Sequence, residues 1–123
     1  MAQHIKSPSI IKAAGIGEKI IREYFGHVNS KTSEVSIAHM NSPMGWSEPG
    51  QKPKFNEYTV VLKGKLLIKT MSEEFIVSEG QGIMTGKEEW VQYSTPFEGG
   101  AEYIAVCLPA FSPEIVHRDT VKL

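Results

Sequence analysis

The chain has one cysteine, Cys107, so no intramolecular disulfide can brace it. It also lacks any apolar run near the roughly 20 residues needed to cross a bilayer. Its opening, from Met1 to Lys6, has none of the long apolar stretch of a secretory leader. Neither sign of charge dominates, with 13 Lys and Arg against 14 Asp and Glu, and no five like charges adjoin. Electrostatic capture of nucleic acid or of an acidic membrane is therefore not expected. A lone thiol without a leader predicts a cytoplasmic protein. Cys107 lies in the apolar run 104–108, where a free cysteine usually serves as a small buried hydrophobe.

What is present reads as one domain over 1–123, with 41% hydrophobic and 22% charged residues. Short apolar segments alternate with turn residues, which is the pattern of an all-β chain. Strands are predicted over 34–40, 74–77, 83–85, 90–94 and 102–107. The stretch 57–70 reads as a hairpin reversing at Gly64. In 34–40 the alternation puts Val35, Ile37 and His39 on one face. The segment 16–25 is ambiguous by period, and its strand neighbours favour a strand. The ends, 1–10 and 109–123, read as arms outside the barrel, because Pro113 and the polar 117–119 argue against a further core strand. So many short strands must close on themselves or stack as two sheets to hide their edges. A small β-barrel or jelly roll follows.

Two stretches carry a more specific pattern. Gly45 is followed by five residues to Gln51, then Pro53, three residues to Glu57, and six to Gly64. Gly80 is followed at the corresponding offsets by Gly86, Glu88, Val91 and Thr95. The span 45–64 resembles the first motif of the cupins, Gly-x5-His-x-His-x3–4-Glu-x6-Gly, with both glycines and the glutamate in register. The span 80–95 resembles their second motif, of which it keeps the first glycine. The closing 108–113 is similar to small bacterial single-domain cupins and, more distantly, to the ethanolamine-utilisation type. The resemblance implies a double-stranded β-helix, the cupin jelly-roll barrel.

In metal cupins, two histidines and the glutamate of the first motif meet the histidine of the second around a metal ion. Their counterparts here are Gln51, Pro53, Glu57 and Val91. Proline and valine offer no donor atom, and a glutamine amide is a poor substitute for imidazole. The resemblance therefore implies a barrel without the family's metal, and no cofactor is expected. The four histidines are His4, His27, His39 and His117, of which only His39 falls on a predicted barrel strand. A site rebuilt from His39, Glu57 and a neighbour such as Glu48 is the remaining metal alternative.

Glu57 is the candidate catalytic residue. Pointing inward as in the family, beside Thr59 and Val61, its carboxylate must pair, accept hydrogen bonds or take up a proton. A pocket is expected around it, lined by Gln51, Glu57, Thr59, His39, Val91, Tyr93, Trp46 and Trp90. Lys52 and Lys54 offer charge at its mouth. The plain alternative is a filled interior with Glu57 serving only structure. Three functions stay open on the sequence: a metal-independent binder of a small organic ligand; a metal-free isomerase, epimerase or lyase using Glu57, with Tyr93 or His39 as acid; and a structural or oligomerisation module. Exposed edges and extended arms favour a homodimer.

Overall fold

The computed structural model describes residues 1–119. It contains nine strands and one helical turn: β1 (Ser9–Ile11), β2 (Ile20–Phe25), β3 (Ser36–Ser42), β4 (Trp46–Ser47), β5 (Asn56–Thr70), β6 (Glu74–Ser78), β7 (Gly82–Thr85), β8 (Val91–Thr95), β9 (Ala101–Leu108) and α1 (Pro113–Val116). All pairings are antiparallel, and most join strands that are not consecutive in the chain. The segment 20–25 is a strand, paired on one side with β1 and on the other with β3.

The expected hairpin at 57–70 does not form. Those residues lie within one continuous strand of 15 residues, β5. Its first half pairs with β9 and β7 and its second half with β8 and β6, so β5 belongs to both faces of the barrel. Gly64 marks the bend between them. Its φ is +78°, and a Cβ there would lie 2.1 Å from the carbonyl oxygen of Gly100. A register shift between Val61 and Lys63 adds a bulge just before it. A glycine and a bulge kink a strand without reversing it. The reversal comes later, in the turn joining β5 to β6.

One end of the barrel is filled. Val61, Leu66, Ile68, Val77, Val91 and Ala101 pack there against Trp46, Tyr93 and Tyr103. A second cluster, of Phe55, Cys107 and Val116 with Phe111 and Ile115, closes the side beneath α1. Segments near both ends of the described residues lie on the barrel. β1 extends the sheet beside β2, and Ile16 pairs with Ser47. The described part of the C-terminal segment also lies on the barrel, since the amides of Lys52 and Lys54 bond to the carbonyls of His117 and Ile115. The Asp119 amide likewise reaches the Gly50 carbonyl. No helix among the described residues is long and apolar enough to cross a membrane.

Candidate functional site

The motif residues meet in space as their spacing implies. Gln51 and Val91 pair across an antiparallel bridge, with N–H···O distances of 2.9 Å in both directions. Gln51 also bridges to Arg118 on its other side. Glu57, Thr59 and Val61 alternate inward along β5, while Tyr58, Val60 and Leu62 face out. Four of the eight expected lining residues, Trp46, Gln51, Glu57 and Tyr93, border a cavity of about 80 Å³ at the unfilled end of the barrel.

The other four do not. Val91 is fully buried in the packed end, and Thr59 sits one pleat beyond Glu57 with its hydroxyl unpartnered. Trp90 lies outside, against Gly50, and donates its indole N–H to Asp119 at 2.9 Å. His39 is on the outer face, with Nε2 2.6 Å from a carboxylate oxygen of Glu102. In β3 it is Ser36, Ala38, Met40 and Ser42 that turn inward. Alternation fixes which residues share a face, but where both faces carry apolar side chains it does not say which face is inside. Small side chains on the inner face leave the room that the cavity occupies.

The structure adds residues to the site that the sequence did not single out. Lys19 holds its ammonium 3.9 Å from the centre of the Trp46 ring and 5.2 Å from that of Tyr103. The segment carrying it lies directly on β4. Gly15 makes this possible, since a Cβ there would sit 2.1 Å from the carbonyl oxygen of Ser47. The Trp46 indole N–H fastens the same segment through the Ala14 carbonyl, at 3.2 Å. From the C-terminal segment come Phe111 and Arg118, and from β9 Tyr103 and Cys107. Glu48 completes the wall, next to Glu57. A glycine pair flanking Ile16 was the one signal for Lys19. Arg118, in a polar tail, gave none. Lys52 and Lys54 are exposed and lie off the cavity wall.

Burial and the neighbouring Glu48 carboxylate push Glu57 up to about 7, against a partial opposing pull from Lys19, the Cys107 thiol and Arg118. Glu57 is walled in by protein yet keeps some accessible surface, because it faces the cavity. Glu48 is also raised, chiefly by burial, with Lys19 and Arg118 pulling the other way. Cys107 lies opposite Glu57 in the β5–β9 register, and burial with that carboxyl holds the thiol protonated. It is no nucleophile. Tyr93 and Tyr103 are likewise held in the phenol form, mainly by burial, bonding Thr85 at 2.9 Å and Ser42 at 2.8 Å.

At the four metal-ligand positions, Glu57 alone bears a side chain suited to an imidazole-and-carboxylate centre. Pro53 and Val91 are fully buried without donor atoms. Among the described residues, no three His, Cys, Asp or Glu side chains converge on a point that a metal ion would fill. The alternative site built on His39 is closed by its outward orientation. The residues present do not fit the family's metal.

No protein-family profile matches the chain. Endoribonuclease YbeY of Myxococcus xanthus is 38% identical over 104 residues, which cover 85% of this chain and 35% of that protein. The chain thus spans about a third of the length of the curated relative it matches. The polyketide cyclase RemF of Streptomyces resistomycificus superposes with a TM-score of 0.75 at 15% identity, over 99% of this chain and 87% of that one. Oxalate decarboxylase of Bacillus subtilis gives 0.73 at 17%, over 93% and 30%. The EutQ protein of Clostridium difficile gives 0.63 at 22%, over 75% and 63%. These superpositions show that the chain has the cupin-type jelly-roll barrel fold.

Proposed function

We propose that this barrel binds a small organic molecule without a metal, with Glu57 as the acid–base group at the base of the pocket. The observation that carries the reading is a carboxyl raised to about 7 that faces a cavity and has Glu48 as its neighbour. A group titrating near neutral pH in such a place can take or give a proton under working conditions. The cavity is bordered by Trp46, Tyr93, Tyr103 and Phe55, with a few charged groups converging on it, which is the usual make-up of a small-ligand site. Cytoplasmic residence belongs to the same proposal and rests on the lone thiol.

Thermal melting against a panel of organic acids, amides, amines and sugars tests the reading. A ligand selective for the folded state raises the midpoint. Positive shifts that vanish in a Trp46 or Glu48 variant are expected, and a flat response across the panel would sink it. Turnover of a hit, followed by NMR, separates binder from isomerase, epimerase or lyase. Loss of turnover in Glu57→Gln with binding kept establishes the enzyme, and Tyr93, which borders the cavity, is the proposed acid. His39 is not.

The endoribonuclease name belongs to a protein about three times as long as the matched stretch. In this chain Glu48 and Glu57 border a cavity of about 80 Å³, which is unsuited to a polyanionic backbone. RNA cleavage is therefore not expected of it. A homodimer remains part of the proposal. Its support is the outer face of the barrel, where Tyr58, Val60, Leu62 and Met84 are each 42 to 54% exposed. Light scattering should return twice the 13.6 kDa chain mass; a monomer at all concentrations would refute it.

A further inference from the structure

The cavity's charges are unusually unpaired. Lys19 and Arg118 border it together with Glu48 and Glu57, yet none of the four enters an ion pair within 4.0 Å among the described residues. Lys12 adds a third cation at the rim, and Glu23 a third carboxylate. The Glu23 carboxylate is already held by the amides of Val28 and Asn29, at 3.1 and 2.8 Å. Two further polar atoms are buried with no partner among the described residues: Oε1 of Gln51, whose side chain is nearly wholly enclosed, and Nε of Arg118. They belong to residues facing each other across one backbone bridge. One is an acceptor and the other a donor, and they do not bond to each other. Leaving both unmatched costs each its desolvation.

A ligand group that presents an acceptor and a donor on adjoining atoms would satisfy the pair together. An oxyanion suits Arg118 and Lys19, and a hydroxyl suits Gln51. Size narrows the class. An apolar cavity of about 150 Å³ holds one benzene, so about 80 Å³ holds a molecule of only a few carbons. Resting on the pocket reading above, we propose that the ligand is a short-chain hydroxy acid, its carboxylate on Arg118 and Lys19 and its hydroxyl donating to Gln51.

Several groups face Glu57, namely Glu48, Lys19, Arg118, the Cys107 thiol and the Tyr93 phenol. Protonation of Glu57, raised to about 7, leaves Lys19 and Arg118 less opposed. An anion is therefore held more tightly as pH falls from 8 to 6, while the ligand's own carboxyl stays ionised.

The test uses three molecules of near-equal size: lactate, propionate and 1-amino-2-propanol, titrated by NMR against the full chain. Lactate should bind at least tenfold tighter than propionate, and the amine should not bind. Gln51→Leu should erase the lactate–propionate gap while propionate binding persists, and Arg118→Met should weaken both acids. Melting curves identify any variant that fails to fold. Lys19→Met, which removes the other cation, then serves in place of Arg118→Met. Equal binding of lactate and propionate overturns the hydroxy-acid assignment. Preferred binding of the amine overturns it too, but leaves the pocket reading standing. Silence from all three overturns it, and the wider panel then judges the pocket by itself.

Discussion

Glu57→Gln should melt about 8 °C above the native chain at pH 8 and level with it at pH 4.5. In the folded protein the carboxyl is raised from 4.5 to about 7, so the folded state holds its proton more tightly than the unfolded chain does. The stability this gives is complete below about 4.5 and is lost as pH rises through about 7. Every tenfold change in acid strength between the two states is worth about 1.4 kcal/mol. Because Glu57 keeps contact with the cavity, about 2 kcal/mol is a reasonable share of the full effect. In a domain of this size that moves the midpoint by about 8 °C. Glutamine keeps the shape and removes the charge, so only the alkaline limb should rise. Glu48→Gln should move the titration of Glu57 downward, since it deletes the neighbouring charge. Melting curves that run parallel for native chain and Glu57→Gln from pH 4.5 to 8 would show that Glu57 is not such an acid.

A larger loss is expected from Trp46→Ala, on the order of 3–5 kcal/mol by urea unfolding. Trp46 is 1% exposed and joins the packed end of the barrel to the cavity wall. Its removal opens a void that rigid β-strands cannot close. The Lys19 ammonium also loses the ring it rests on, and the Ala14 carbonyl its indole donor. The segment carrying Lys19 is then held mainly by the Ile16–Ser47 bridge, so ligand binding should fall with stability. Trp46→Phe separates the two contributions. It keeps an apolar ring in the core but loses the N–H and the pyrrole part of the indole, so it should cost about 1 kcal/mol for the hydrogen bond plus the packing difference. A Trp46→Ala chain within about 1 kcal/mol of native would mean that Trp46 does not anchor the segment.

The barrel was legible because its signals are local and repeated. Alternation along 90–94 put Val91 and Tyr93 on the inner face, and the cupin resemblance placed Glu57 inward on β5. The motif register also carried real geometry, since Gln51 and Val91 turned out to be bridge partners. Two local readings failed for physical reasons. The glycine at 64 signals a departure from regular strand geometry, and sequence does not say whether that departure is a kink or a reversal. His39 went to the wrong face because both faces of β3 carry apolar residues, so the period gave the grouping without the direction.

The site was only half legible, because half of it is contributed by contacts between distant segments. Gln51 and Glu57 stand within one motif, whereas Lys19, Tyr103 and Arg118 reach them from 32 or more positions away in the chain. The sequence by itself determined an all-β barrel, and its cupin resemblance implied the loss of three of four metal-ligand side chains and one inward glutamate. Only the tertiary structure decided that this glutamate faces a cavity and that Glu48 shares it. It also decided that the two ends of the chain supply the cations. The division follows from how each is encoded. Strand period and side-chain chemistry are properties of neighbours in sequence, while a carboxyl's pKa and a pocket's charge balance are set by groups that meet only when the barrel closes.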